Sequence, residues 1–349
     1  MLIYWFLFLV PVYFLLAQDR GGVHTSRLVW QSFGFFLIIL IGLRYQVGGD
    51  WFTYLEELEI TKDVPWGELF NPRKEAGFTL VSWLSLALGA NIYGVNLICA
   101  AIFTVGLINL SRGQPYPWLA IAAAIPYLVI VAAMGYTRQA TAIGLLMYGL
   151  GYLSRGRITA YLVLVVLAGL FHKTAFIFAA FALFRPGSGL FKRVLGVGLL
   201  VGLIGAAYLI EQAEFLLLNY VENPMASGGG QIRVLMNLPP AIVLIIYWKE
   251  WGEKFKDRWL WGLIALLAIV CVPLVSVAST AVDRMALYLI PLQLIVWARF
   301  PVLAQGRIPR IVVFLMVIFY YAAVQFVWLV FGTYAYLWVP YNNLLLPSL

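Results

Sequence analysis

Long apolar runs joined by short connections constrain this chain more than any other feature. A transmembrane helix needs about 20 mostly apolar residues. The sequence offers about a dozen such runs, near 1–17, 28–43, 76–90, 93–110, 116–134, 138–154, 158–171, 173–184, 191–210, 233–248, 259–277, 282–298 and 308–331. They consume most of the 349 residues. Apolar residues make up 63% and charged residues 11%, against roughly 25% charged in ordinary soluble domains. So little polar material cannot coat a soluble globule, and so apolar a chain does not stay disordered. The expectation is a single integral membrane domain over residues 1–349, built from helices.

The remaining composition narrows the chemistry. Cys99 and Cys271 lie inside apolar runs, which suits buried filler rather than a disulfide framework or a zinc site. Two histidines are too few for a His-rich metal centre, so neither metal nor cofactor is expected. The apolar run from Leu2 has no basic segment before it and no small-residue cleavage site after it. It reads as a first transmembrane helix rather than a removable signal.

The net charge of +8 would suggest nucleic acid in a soluble protein. Sorted by loop, it reads as an orientation signal. One set of loops holds Arg20, Arg27, Arg112, Arg155, Arg157, Arg185, Lys192, Arg193, Lys249, Lys254, Lys256, Arg258, Arg299, Arg307 and Arg310, 15 cations against 4 carboxylates. The other set (44–75, 135–138, 172–173, 211–232 and 278–284), counted with Arg233 at its edge, brings 8 cations against 11 carboxylates. The basic set is cytoplasmic by the positive-inside rule. Strict alternation fails once: if 76–90 and 93–110 both cross, Arg112 falls outside. Treating 76–110 as one crossing plus a re-entrant or interfacial piece restores order. That gives 12 crossings with both termini outside, 173–184 being the weakest. No internal repeat or heptad pattern is visible. Gly228-Gly229-Gly230 in the outer loop 211–232 suits a lid or a plain surface loop.

Ionisable residues at helix ends in so apolar a chain are the informative ones, and they gather on the outer side. Arg44-Tyr45-Gln46-Val47-Gly48-Gly49-Asp50-Trp51-Phe52-Thr53-Tyr54 leaves the second run. Its glycines permit a tight turn aiming Asp50 toward Arg44, and its aromatics suit sugar stacking or an interfacial belt. Glu75 opens the next run, as a general base or a helix cap. Thr137 is a candidate N-cap before Arg138 and Gln139, where a helix N-terminus and a bidentate guanidinium suit an anion. His172-Lys173 splits the apolar stretch 158–184 near its middle, so two short helices meeting at an imidazole are expected. Asp283-Arg284 reads either as a local ion pair or as another anion contact. Trp338-Val339-Pro340-Tyr341 reads as an interfacial anchor. His24 lies in a basic loop and is expected to be inert.

The expected architecture is therefore all-α: a polytopic transmembrane helix bundle of about 12 (11–13) helices, with re-entrant or broken helices around an outward-facing cavity. Arg44, Arg138, Lys173 and Arg284 supply cations to that cavity, and Asp50, Glu75 and His172 are candidate proton acceptors. No P-loop, zinc helix, nucleophile elbow or dinucleotide fingerprint is present. Several cations in a membrane setting suit a pyrophosphate leaving group on a lipid carrier.

Arg-Tyr-x-Val-Gly-x-Asp-Trp-x-x-Tyr at 44–54, Glu-x-Gly-Phe at 75–78, Arg-Gln at 138–139 and Phe-His-Lys-Thr at 171–174 resemble the EpsG family of bacterial exopolysaccharide proteins, which are Wzy-like polysaccharide polymerases. The likeness spans about residues 40–180 by motif and reaches the Trp-x-Pro-Tyr tail by layout. The resemblance implies a glycosyltransferase in the bacterial inner membrane with its site facing the periplasm. It would transfer a growing glycan from undecaprenyl pyrophosphate to the non-reducing end of a lipid-linked repeat. Membrane lipids, a flippase and a chain-length regulator would be its partners. Such chemistry needs a base near the acceptor hydroxyl and preorganised positive charge at the leaving group. The assignment that follows is His172, Asp50 or Glu75 as base. Arg44, Arg138, Gln139, Lys173 and Arg284 would hold the pyrophosphate, with Tyr45, Trp51 and Tyr54 along the sugar path.

Other readings use the same residues. A glycosyltransferase using polyprenyl-phosphate sugars needs the same cations. A membrane O-acyltransferase would use His172 as base. A lipid-linked oligosaccharide transporter would show duplicated broken helices, but the break near His172 has no counterpart in the second half.

Overall fold

The computed structural model describes residues 1–19, 25–62, 65, 67, 75–184, 189, 230–276 and 279–345. The run 191–210, Arg73-Lys74, His24 and most of the loop 211–232 lie outside the described residues. Among the described residues the protein is helical, and the one extended pairing is an isolated bridge between Arg44 and Asn343.

The helices are α1 (Leu2–Asp19), α2 (Arg27–Gly42), α3 (Trp51–Lys62), α4 (Ala76–Ala87), α5 (Asn91–Arg112), α6 (Pro117–Ala133), α7 (Thr137–Ser154), α8 (Ile158–Phe171), α9 (Lys173–Phe184), α10 (Gly230–Leu235), α11 (Leu238–Ile246), α12 (Trp248–Lys254), α13 (Arg258–Leu274), α14 (Ser279–Leu287), α15 (Pro291–Leu303) and α16 (Arg310–Phe331). Among the described residues, four spans are long and apolar enough to cross a bilayer unaided: Leu2–Asp19, Asn91–Arg112, Val282–Leu303 and Arg310–Phe331. The pair formed by α10–α11 and α12, bent by 74°, is either a broken fifth span or a re-entrant loop. Several further apolar helices run 10–17 residues. The fold is thus a helical membrane bundle, and the expected count of about 12 exceeds the spans that length and composition establish.

Helix α6 forms the axis, and its residues from Trp118 to Ala133 are buried. Its second half, Ile125–Ala133, is π-helical. Pro126 lacks an N–H and cannot continue an ordinary α ladder. Around α6 stand α1, α5, α15 and α16. Small residues permit close crossing in a bundle that has no hydrophobic drive between helices. A Cβ on Gly106 of α5 would lie 1.9 Å from the Gly144 carbonyl of α7.

The bundle has two chemically distinct ends. At the basic end Arg310 pairs with Asp19 at 2.7 Å, Arg307 with Glu250 at 2.7 Å, and Arg299 with Asp257 at 2.6 Å. At the other end meet the residues picked out as outer: Arg44, Asp50, Glu75, Arg138 and His172.

Helix α4 is the short piece on which the loop parity turns. Its first turn begins at Glu75, beside Arg138. The following helix starts at Asn91, and Asn96 of that helix accepts a hydrogen bond from Arg44. Both ends of α4 therefore stay at the site end. Its 12 residues span about 18 Å, short of the roughly 30 Å hydrocarbon core.

The tail corrects one expectation. Trp338 and Tyr341 are 2% and 1% exposed, so they do not anchor an interface. Trp338 Nε1 donates to the Ile130 carbonyl at 2.8 Å, and its own carbonyl accepts from Tyr4 at 2.7 Å. Tyr341 donates to Leu40 O at 2.7 Å. The tail fills space between α1, α2 and α6 and supports the turn that carries Asp50.

Candidate functional site

The site is built on a turn that only glycine allows. Gly48 has φ +108°, and a Cβ there would lie 2.1 Å from the Met134 carbonyl. Its N–H donates to Leu337 O at 2.9 Å, which ties the turn to the tail. A Cβ on Gly135 would strike the Trp338 ring at 2.3 Å. With all three strands of chain pressed together, the turn delivers Asp50 to the start of α3 and next to the start of α7. The Asp50 N–H donates to the Gly135 carbonyl at 3.4 Å.

Arg44 does not meet Asp50. It is 1% exposed. Its Nε donates to Val47 O, Nη1 to Ile41 O, and Nη2 to Asn96 Oδ1 and Thr137 Oγ1, at 2.6 to 3.2 Å. These bonds fasten α2, α5 and α7 together and turn the guanidinium away from any ligand. Thr137 accordingly does not act as an N-cap: the capping position is Tyr136.

Arg138 is the hub. Its Nη1 lies 3.2 Å from Glu57 Oε1 and 3.2 Å from Glu75 Oε2. Its guanidinium sits over the rings of Tyr54 and Phe78, at 5.4 and 5.5 Å. Its backbone N–H donates to the Tyr54 hydroxyl at 3.4 Å, and that hydroxyl donates to Asp50 Oδ2 at 3.3 Å. Glu75 makes no side-chain cap bond to α4; instead it bonds the backbone of Lys173. Gly77 makes this approach feasible, because a Cβ there would come within 3.1 Å of the Leu170 backbone of α8. The Glu-x-Gly-Phe motif thus supplies a carboxylate, a close helix contact and a ring beneath Arg138.

His172 ends α8 in an extended conformation, φ −153° and ψ 111°, and α9 begins after it, as the charged break predicts. Its Nδ1 lies 2.9 Å from Thr174 Oγ1, which lies 3.1 Å from the Tyr288 hydroxyl. Gln139 Nε2 donates to the Arg284 carbonyl at 2.6 Å, tying α7 to α14. Asp283 is not paired with its neighbour: Arg233 Nε donates to Asp283 Oδ1 at 2.6 Å, and Nη2 to Oδ2. The Arg284 side chain is left exposed. Its charge still acts on Asp50 and His172.

Burial raises the Asp50 carboxyl above the ordinary range, opposed by Arg138 and Arg284. Burial also raises Glu57 and Glu75, each opposed by Arg138. In the turn between α8 and α9, burial and then the charges of Arg138 and Arg284 push the His172 imidazole down to about 3. The imidazole is therefore neutral at physiological pH.

Of the expected aromatic contacts, Tyr45 is exposed. Trp51 and Tyr54 are 3% and 2% exposed. Trp51 packs against Tyr45 and Tyr93, and Tyr54 against Phe78. Neither presents a free face for a sugar. Glu57, Arg233 and Tyr288 join the site without having been picked out in the sequence, and Thr174, quoted there only within its motif, gains a role beside His172. For Glu57 a signal existed: positions 50, 54, 57 and 61 share one face at helical spacing.

This is a helical, multi-pass membrane protein with a charged cluster of carboxylates, guanidiniums and a neutral imidazole at one end of the bundle. The chain belongs to the EpsG family, which it matches over residues 27–343. Membership points to a Wzy-like polymerase of exopolysaccharide biosynthesis, a glycosyltransferase-type activity. No curated protein and no solved structure compared with the chain matches it.

Proposed function

We propose that the protein transfers a growing glycan from undecaprenyl pyrophosphate to the non-reducing-end sugar of a lipid-linked repeat, with the cluster around Arg138 facing the periplasm. One observation carries this reading: segments far apart in sequence bring Asp50, Glu57, Glu75, Arg138, His172 and Arg284 to one end of an apolar bundle.

In the reaction the acceptor hydroxyl loses its proton to a base and its oxygen attacks the anomeric carbon. The bond from that carbon to the pyrophosphate oxygen breaks, and undecaprenyl pyrophosphate leaves. Arg284, exposed at the site, makes the first contact with the diphosphate. Arg138 follows by exchanging one carboxylate partner for a phosphate, which is possible because both of its ion pairs run through Nη1. Lys173, beside Glu75, adds charge on the same side. Positive charge set in place before the bond breaks lowers the barrier most when water is excluded.

His172 and Asp50 are the base candidates. The imidazole is neutral but, with the charges of Arg138 and Arg284 beside it, a weak base until the anionic diphosphate offsets them, and Thr174 fixes its ring through Nδ1. Asp50 has the Tyr54 hydroxyl as a positioning partner. Glu75 holds Arg138 in place, as does Glu57. Arg44 and Gln139 act by fastening helices rather than by touching the diphosphate, and Tyr45 remains the sugar contact.

The test is accumulation in cells. Arg138→Ala and His172→Ala are expected to abolish polymer while single repeats stay on the lipid. Full-length polymer from both variants at wild-type protein level would defeat the assignment.

A further inference from the structure

The basic end of the bundle carries a second polar feature, independent of the reading given to the site end. The turn between α7 and α8 faces the turn between α12 and α13 across an open groove of about 630 Å³. That volume lies within the range of small-ligand sites.

Its floor is Arg299, 6% exposed. Arg299 Nη1 and Nη2 donate to Asp257 Oδ1 and Oδ2 at 2.6 and 2.8 Å, and Nε donates to Gln114 Oε1 at 2.8 Å. Asp257 Oδ2 also accepts from Trp261 Nε1 at 2.9 Å. The carboxylate among the lining residues is thus fully engaged by the floor. The rim carries Arg155, Lys254 and Lys256, all exposed. Lys254 donates to the Val302 carbonyl at 2.5 Å. Among the described residues no carboxylate pairs with any of the three rim cations.

A cleft lined by one sign of charge focuses field and concentrates counter-ions. The floor is a neutralised pair, so the groove's net charge comes from the three rim cations that face one another across it. Its position matters too. The groove opens where apolar helices end in basic turns, the level of lipid headgroups on the cytoplasmic side. Two helical hairpins from distant parts of the chain supply opposite walls, which suits a ligand that bridges them.

We propose that this groove binds a phosphate-bearing anion, and that its source is the headgroup of an anionic phospholipid. The ligand joins the α7–α8 hairpin to the α12–α13 hairpin.

The experiment uses the full-length protein purified in a neutral detergent. Thermal unfolding is followed with added phosphatidylglycerol or cardiolipin, with phosphatidylcholine, and with inorganic pyrophosphate. Anionic lipid is expected to raise Tm by about 5 °C, and phosphatidylcholine to leave it unchanged. The rise should vanish in Arg155→Ala/Lys256→Ala, whose altered side chains are exposed. It should persist in Arg27→Ala/Lys249→Ala, which loses equal charge at the same end but outside the groove. No rise with any anion, or a rise that both double variants keep, would overturn the site. A rise with pyrophosphate alone, lost in Arg155→Ala/Lys256→Ala, would uphold the phosphate site and overturn its lipid source.

Discussion

Arg138 shows how a single residue organises the site. An arginine in the first turn of a helix opposes the helix dipole, so something negative must hold it there. Glu57 and Glu75 do so at 3.2 Å each. On the proposed mechanism Arg138→Ala loses polymerisation rate by about 10²–10³-fold. Arg138→Lys does not restore it, because an ammonium cannot reproduce the planar fork; wild-type turnover by the lysine variant would remove the bidentate role. Glu57 gives a separate prediction, read in pH. Like charges raise one another's pKa, and Glu57 raises Glu75 while Asp50 raises Glu57. The folded-state pKa values of these carboxyls lie above their ordinary ones, so they protonate early as pH falls. The acid limb of the rate should therefore have its midpoint above about 4. Glu57→Gln removes one negative neighbour and leaves Arg138 to the others, so the midpoint should move down. A midpoint that stays put or rises would detach Glu57 from the reacting groups.

At the scale of elements, legibility depended on contrast. His172-Lys173 was readable as a helix break because charge inside a long apolar run has few places to go. The short α4 was readable because the loop charges fail to alternate without it. Helix α3 was harder to read: exposed Glu56 and Glu59 sit beside buried Tyr54, Leu58 and Thr61, which obscures the helical spacing that Glu57 shares with positions 50, 54 and 61. Trp338 was misread because an aromatic suits a membrane interface and a buried wedge equally. What decides is its contact with Ile130, 208 residues away, which no local pattern carries. The same reasoning separates Arg44 from Arg138, since both sit at a helix end beside polar residues and only the packed structure shows which guanidinium is enclosed. Gly77 tests the element-level account. Gly77→Val adds atoms where a Cβ already meets Leu170 at 3.0 Å, pushing α4 off α8 and Glu75 away from Arg138. Polymerisation should fall by about 10²-fold with the protein still present in the membrane. A wild-type rate in that variant would mean that α4 does not position the site.

The whole molecule is a polarised bundle. Sorting charge by loop separated a basic end from a mixed-charge end, and among the described residues Arg299, Arg307 and Arg310 pair at one end while Asp50, Glu57, Glu75 and Arg138 gather at the other. That separation is what made the site legible: with 11% charged residues in 349, those drawn to the mixed end are few, and Asp50, Glu57, Glu75, Lys173 and Arg284 gather around Arg138. Its central claim is that this end catalyses transfer between two lipid-linked glycans. The most direct measurement incubates the purified protein with one lipid-pyrophosphate oligosaccharide repeat and resolves the products by size. The account predicts a ladder spaced by one repeat from the wild-type protein, with released lipid pyrophosphate, and unextended repeat from Arg138→Ala. Folded wild-type protein that yields no ladder, or an Arg138→Ala protein that yields the same ladder, would contradict it.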